Sequence, residues 1–163
     1  MSQEQAVSAP RTLVQFAYQV AGPRESVINF IINTTIAWVL FRGQEAVPLV
    51  GGRSILMMLA PMMFLMSSLT TFFGYFNGVQ ARRSGAVTPP LDGNVAWRPP
   101  AIRSGLRCGA GALGICLALV LPLDGALGGP VLPGWVVILG LGRWSAVASY
   151  FLHARGAGRA GRF

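Results

Sequence analysis

The stretch SILMMLAPMMFLMSSLTTFFGYFNGVQA, residues 54–81, runs for 28 residues without an Asp, Glu, Arg or Lys. A helix crossing the hydrocarbon core of a bilayer needs about 20 apolar residues, so this run is long enough to span with tilt. Pro61 near its start is a candidate kink. Ser67, Thr70, Thr71, Gly74 and Asn77 fall at helical spacing on one face, opposite a surface rich in Met57, Met58, Met62, Phe64 and Phe72. Helices in lipid gain little by burying apolar side chains against one another. The small, hydroxyl-bearing face is therefore read as a packing seam, and the Met and Phe face as the one that meets lipid.

Working outward from this segment, the same arithmetic places four spans, at residues 25–42, 54–80, 105–122 and 132–153. The first, Ser26 to Phe41 between Glu25 and Arg42, is slightly short unless its flanking side chains snorkel. From Cys108 to Leu152 only Asp124 and Arg143 are charged, and the Pro- and Gly-rich cluster from Pro122 to Pro133 reads as the turn of a helical hairpin. Ahead of the first span, Leu13, Phe16, Ala17 and Val20 fall at i, i+3, i+4 and i+7. Residues 11–22 are thus expected to form a short amphipathic helix on the membrane surface, ended by Gly22-Pro23. Residues 82–104, with Pro89-Pro90 and Pro99-Pro100, read as an irregular loop in which Trp97 rests on the interface, and 154–163 as an Arg/Gly tail. The expected fold is a single membrane domain, an all-α integral membrane protein of four transmembrane helices with an interfacial N-terminal helix. No internal repeat supports an inverted-repeat transporter.

Composition agrees with a membrane protein: of 163 residues 53% are hydrophobic and 11% charged, with a mean hydropathy of +0.55. The formal charge is +8, and all 13 basic residues are arginine. A lysine-free chain rich in Arg, Gly, Ala and Pro is what GC-rich genomes encode, which makes a bacterial source the expected one. Residues 1–23 lack the basic region, apolar core and cleavage site of a signal peptide, so the N-terminal segment is expected to be retained. Arg11 and Arg24, the group Arg82, Arg83, Arg98, Arg103 and Arg107, and the tail group Arg155, Arg159 and Arg162 all fall on one side of this topology. Only Arg42 and Arg53 fall on the other. The positive-inside rule then places both termini in the cytoplasm, with Trp38 and Trp135 at the outer interface of a bacterial inner membrane.

Few side chains in this chain can carry chemistry. Arg143 is the sharpest, because counting inward from Trp135 puts it about 12 Å below the outer interface. An ionised guanidinium there needs a partner, a cavity or room to snorkel. Asp124, Glu45 and Glu25 are the candidate partners for a buried ion pair, and the alternative is an anion or headgroup site or a contact to another subunit. Asn29 and Asn33, one turn apart, must meet another helix, a partner or water, and could line a polar path. Gly105 and Gly109, with Ala110, Gly114 and Ala118, mark a seam in the third span. Gly142, Ser145, Ala146, Ser149 and His153 share a face of the fourth, which is expected to approach the third closely. Arg82, Arg83, Arg155 and Arg159 are candidate contacts to anionic headgroups, whereas nucleic-acid binding is not implied. His153, the one histidine, is a weak cofactor candidate, and no ligand spacing for a metal is present. Cys108 and Cys116, eight residues apart on one expected helix, are too far apart for a disulfide and read as core residues.

No two of the five acids share a helix face, and neither a GxSxG nor a phosphate loop is present, so the chain is not expected to be an enzyme. The expectation is a non-catalytic accessory, scaffolding or assembly subunit of a larger membrane complex. Its apolar surfaces would leave room to contact pigment, quinone or lipid, which suits an energy-transducing photosynthetic or respiratory assembly. The alternative is a small homo-oligomeric channel or transporter for a small anionic or polar solute, with Arg143 as its selectivity charge.

Overall fold

Thr12 opens the first helix of the chain with a reciprocal cap: its Oγ1 accepts from Gln15 N at 3.2 Å, and the Gln15 side chain accepts from Thr12 N at 2.9 Å. In the computed structural model, which describes residues 11–91, 93 and 96–161, this cap follows strand β1 (Arg11–Thr12) and starts α1 (Leu13–Phe16). A π-helical turn, Ala17–Ala21, then leads without a break into α2 (Gly22–Phe41). The separate surface helix expected over residues 11–22 is therefore not present, because Gly22-Pro23 does not stop the helix. Proline in a helix clashes with the carbonyl four residues back, and the wider π turn covers that carbonyl, Gln19. Gly22 is there for close approach: a Cβ would lie 3.0 Å from the Tyr150 ring and from the Ala17 carbonyl oxygen.

The other helices also run past their expected ends. Ser54 caps α3 (Ile55–Arg83) by accepting from Met57 N at 3.3 Å. Helix α4 spans Arg98–Leu127, and its start takes in the last part of the expected loop, from Arg98 to Ser104, since Pro99 and Pro100 occupy the first turn, where a missing N–H costs nothing. At its far end α4 continues through Pro122 and stops only at Gly128, whose φ of 69° closes the helix with N–H groups of Gly128 and Gly129 on the Asp124 carbonyl. Helix α5 covers Gly134–Arg159, so most of the expected tail is helical. Asp92 and the end of that tail, Arg162 and Phe163, lie outside the described residues.

Short strands tie the connections together at the two ends of the molecule. Between α2 and α3 lies β2 (Ala46–Pro48), which pairs antiparallel with β4 (Val131–Pro133) from the α4–α5 connection. At the other end β1 pairs in parallel with β3 (Val87–Thr88), Arg11 opposite Val87. Four long helical passes put both ends of the described residues, Arg11 and Gly161, on the side of the β1–β3 pair and the α2–α3 and α4–α5 connections at the β2–β4 pair.

The helices form an open row, not a closed square. Helix α5 packs along both α2 and α3, α3 packs along α4, and α4 barely touches α5. The core follows: Ala37 and Phe41 of α2, Met58, Met62 and Met66 of α3, and Val137 and Leu141 of α5 form one buried cluster. Of the face expected to meet lipid, Met58 and Met62 are interior, Phe64 and Phe72 half-buried and Met57 exposed, because α3 is covered on two sides, with Met63 packed on Cys116 and Val120 of α4. Three helices, α3, α4 and α5, are long and apolar enough to cross a membrane. The helix over 13–41 is less apolar, since Arg24, Glu25, Asn29, Asn33, Thr34 and Thr35 interrupt it.

Candidate functional site

Helix α5 is held to α2 by hydroxyl groups that reach across to backbone carbonyls. Ser26 Oγ donates to Ala146 O at 2.7 Å, while Ser145 and Ser149 share one hydroxyl hydrogen each between their own helix, Gly142 O at 2.8 Å and Ala146 O at 3.0 Å, and α2, Asn29 O at 3.1 Å and Glu25 O at 3.4 Å. Gly142 allows this approach, because a Cβ there would overlap Thr34 Oγ1. The expected partner of this α5 face was the third span, but it meets α2 and α3 instead. A second crossing joins α5 to α3: a Cβ on Gly74 would overlap the His153 carbonyl, and one on Gly156 the Thr71 carbonyl. His153 is fully buried between the two, with Asn77 Nδ2 at 3.3 Å from its Nε2 and no partner at Nδ1. Among the described residues no three of His, Cys, Asp and Glu come together.

The α4 seam differs from the expected one in part. Gly105 and Gly109 lie against Ser68 and Phe64 of α3, where a Cβ would overlap the Ser68 carbonyl and hydroxyl respectively. Gly114 and Ala118 face outward, and Gly114 has open space in front of it. The buried stripe runs through Ala101, Gly105, Gly109, Cys116 and Val120 instead.

Two of the four arginines read as headgroup contacts are drawn into the protein. Arg82 is 4% exposed; its Nη1 donates to Ala160 O at 2.7 Å, its Nε to Pro89 O at 3.0 Å and its Nη2 to Pro90 O at 3.3 Å. It therefore closes the end of α5 onto the α3–α4 connection and cannot meet lipid. Arg159 bridges α5 to α4 through the Ser104 hydroxyl, with Cys108 Sγ at 3.8 Å. Arg83 and Arg155 remain exposed. Trp97 stacks on Phe76 and Phe72 of α3, with centroids 5.2 and 6.1 Å away.

Asn29 and Asn33 bond back along their own helix, Nδ2 to Glu25 O and to Asn29 O at 2.9 Å each, and Asn33 also lies 3.7 Å from Met66 Sδ. Their outer sides line a groove of about 580 Å³ that opens because α2 and α3 lean on α5 and not on each other. Ile32, Ile36, Leu65 and Leu69 make its walls apolar. At the β2–β4 end the groove meets a cavity of about 490 Å³ lined by Arg42, Gln44, Arg53 and Ser54, and the two share Leu40, Met57 and Met58. At the other end Glu25 joins it to a cavity of about 410 Å³ lined by Arg24, Asn77, Gln80 and Ser84.

Arg143 stands apart from all of this. It is exposed on α5, lines none of the three cavities, and has no hydrogen bond or ion pair to any described residue. The expected pairing with Asp124, Glu45 or Glu25 does not occur. Arg42 and Arg53, which in the sequence stand out only as the two arginines of their side, line one cavity together. No known protein family, curated protein or solved structure matches this chain.

Proposed function

We propose that the chain is a non-catalytic accessory subunit of a larger assembly in a bacterial inner membrane. In this reading α2 crosses alongside α3, α4 and α5, both termini are cytoplasmic, and the chain docks to its partner through the outward face of α5. The observation that carries the proposal is Arg143. It sits nine residues in from Gly134, about 13 Å along the helix axis, which is close to mid-membrane for a hydrocarbon core of about 30 Å. A guanidinium at such depth costs about 2.5–3.5 kcal/mol on insertion scales and is normally matched by a partner. No carboxylate of the described chain reaches it, so a carboxylate on a neighbouring subunit is the natural complement.

The surroundings of Arg143 suit a partner helix. Gly140, Trp144, Val147 and Phe151 recur at spacings of four, three and four along the exposed face, and Gly140 has open space in front of it. This is the apolar repeat of a helix seam with one small residue for close approach. The transport reading has less support, since Asn29 and Asn33 line the α2–α3 groove whereas Arg143 does not.

The test is mild extraction of the tagged chain from its native membrane, followed by size separation and mass spectrometry, for the wild type and Arg143→Gln. A stoichiometric foreign subunit that is lost in the variant, with the variant's own melting temperature unchanged, is the expected result. A wild-type particle containing only this chain, or a variant that keeps the foreign subunit, overturns the proposal.

A further inference from the structure

Two arginines, Arg42 and Arg53, stand at the end of the molecule that is otherwise poor in positive charge, and both line one cavity of about 490 Å³. No carboxylate lines that cavity; Glu45, the acid next to it in sequence, is not among its walls. The Arg42 guanidinium rests over the ring of Trp38, which is not a wall of the cavity, 5.0 Å from its centroid, so in this conformation it lies at the rim and a rotamer change brings it inward. Gln44 adds a polar side chain to the wall, while the Ser54 hydroxyl is spent on Gly51 O and the α3 cap. A cavity walled by two arginines and no acid is complementary to an anion, and arginine forks match phosphate oxygens. Through Leu40, Met57 and Met58 the same cavity passes into the apolar α2–α3 groove. Its walls run from Leu40 back to Glu25 on α2, about 22 Å at 1.5 Å per residue, long enough to take a chain that enters from one leaflet.

We propose that this composite site binds one anionic glycerophospholipid, its phosphate between Arg42 and Arg53 and one acyl chain in the groove between α2 and α3. The combined shape and charge distinguish such a lipid from those that merely coat the protein. Bulk lipid would need neither an acid-free pair of arginines nor a groove aligned with it.

The test uses the full chain, purified and delipidated in detergent, with phosphatidylglycerol, phosphatidylcholine and inorganic phosphate as probes and native mass spectrometry with thermal shift as readouts. One phosphatidylglycerol per chain is expected, held at least tenfold more tightly than phosphatidylcholine. Replacing both arginines, Arg42→Gln with Arg53→Gln, should weaken it roughly thirty-fold. The control pair Arg103→Gln with Arg107→Gln, exposed at the opposite end, should leave binding unchanged. Should the double variant at the site fail to fold, Ile36→Trp keeps both guanidiniums, narrows the groove, and must still weaken the lipid. Equal binding of phosphatidylcholine, an equal thermal shift from inorganic phosphate alone, equal loss in the control pair, or full binding by Ile36→Trp would each overturn the proposal.

Discussion

Adjacent arginines with opposite surroundings allow the packing of the β1–β3 end to be tested sharply. Arg82→Gln removes three donors that meet Ala160 O, Pro89 O and Pro90 O, whereas Arg83→Gln alters an exposed side chain of the same charge one residue later. Hydrogen bonds to a charged group contribute about 1.5–3 kcal/mol each. The bonds at 2.7 and 3.0 Å are the well-formed ones, giving about 3–6 kcal/mol before glutamine and water recover part of it. The charge also offsets the partial negative charge at the end of α5, a further 0.3–1 kcal/mol or so. A net loss of about 3 kcal/mol would lower the melting temperature by roughly 6–12 °C for a chain of this length. Thermal unfolding of the detergent-solubilised protein, followed by near-ultraviolet circular dichroism, measures this directly. Arg82→Lys should recover only part of the loss, since one ammonium cannot serve three carbonyls in the same geometry. If Arg82→Gln and Arg83→Gln melt within 1 °C or so of each other, the buried bridge described above does not stabilise the fold and the reasoning fails.

Other substitutions separate packed from open faces. Gly74→Leu should cost about 1–3 kcal/mol or block folding outright, because its Cβ meets the His153 backbone, while Gly114→Leu on the open face of α4 should be silent; fluorescence-detected size exclusion compares them. Ser26→Ala removes the 2.7 Å bond to Ala146 O and should destabilise by about 0.6 kcal/mol and no more than about 1.7, read from melting curves. With a maleimide probe Cys108, half-buried, should react well before Cys116, which is buried in the α3–α4 contact; equal rates in the folded protein would contradict that packing.

Much of the fold could be read from charge-free length, and most departures concern prolines and glycines whose role depends on tertiary context. Pro99-Pro100 marks a helix start as readily as a loop, and the choice was decided by Trp97 stacking on Phe72 and Phe76 of α3. Gly22-Pro23 reads as a stop, but a π turn absorbs the proline and the Tyr150 ring needs the glycine. The methionine face of α3 was assigned to lipid because periodicity reports that a face differs, not which neighbour covers it. Among candidate site residues, the exposure of Arg143 and the burial of Arg82 were equally out of reach. Both follow from how α5 is rotated against α2 and α3, and one sequence does not specify that rotation.

The middle place of α5 in the row has a consequence for biosynthesis. Helices α2 and α3 are made before α5 and meet through side chains such as Asn33 and Met66, whereas the extensive backbone packing of each is on helices made after them. Until residues beyond Gly134 are inserted, Ser26 has no Ala146 carbonyl to bond, Gly74 has no partner backbone, and Arg82 has no helix end to close. The decisive step of assembly therefore waits for α5 to be made. A nascent chain halted before α5 would hold a packed α3–α4 hairpin beside an α2 that still lacks its main packing partner.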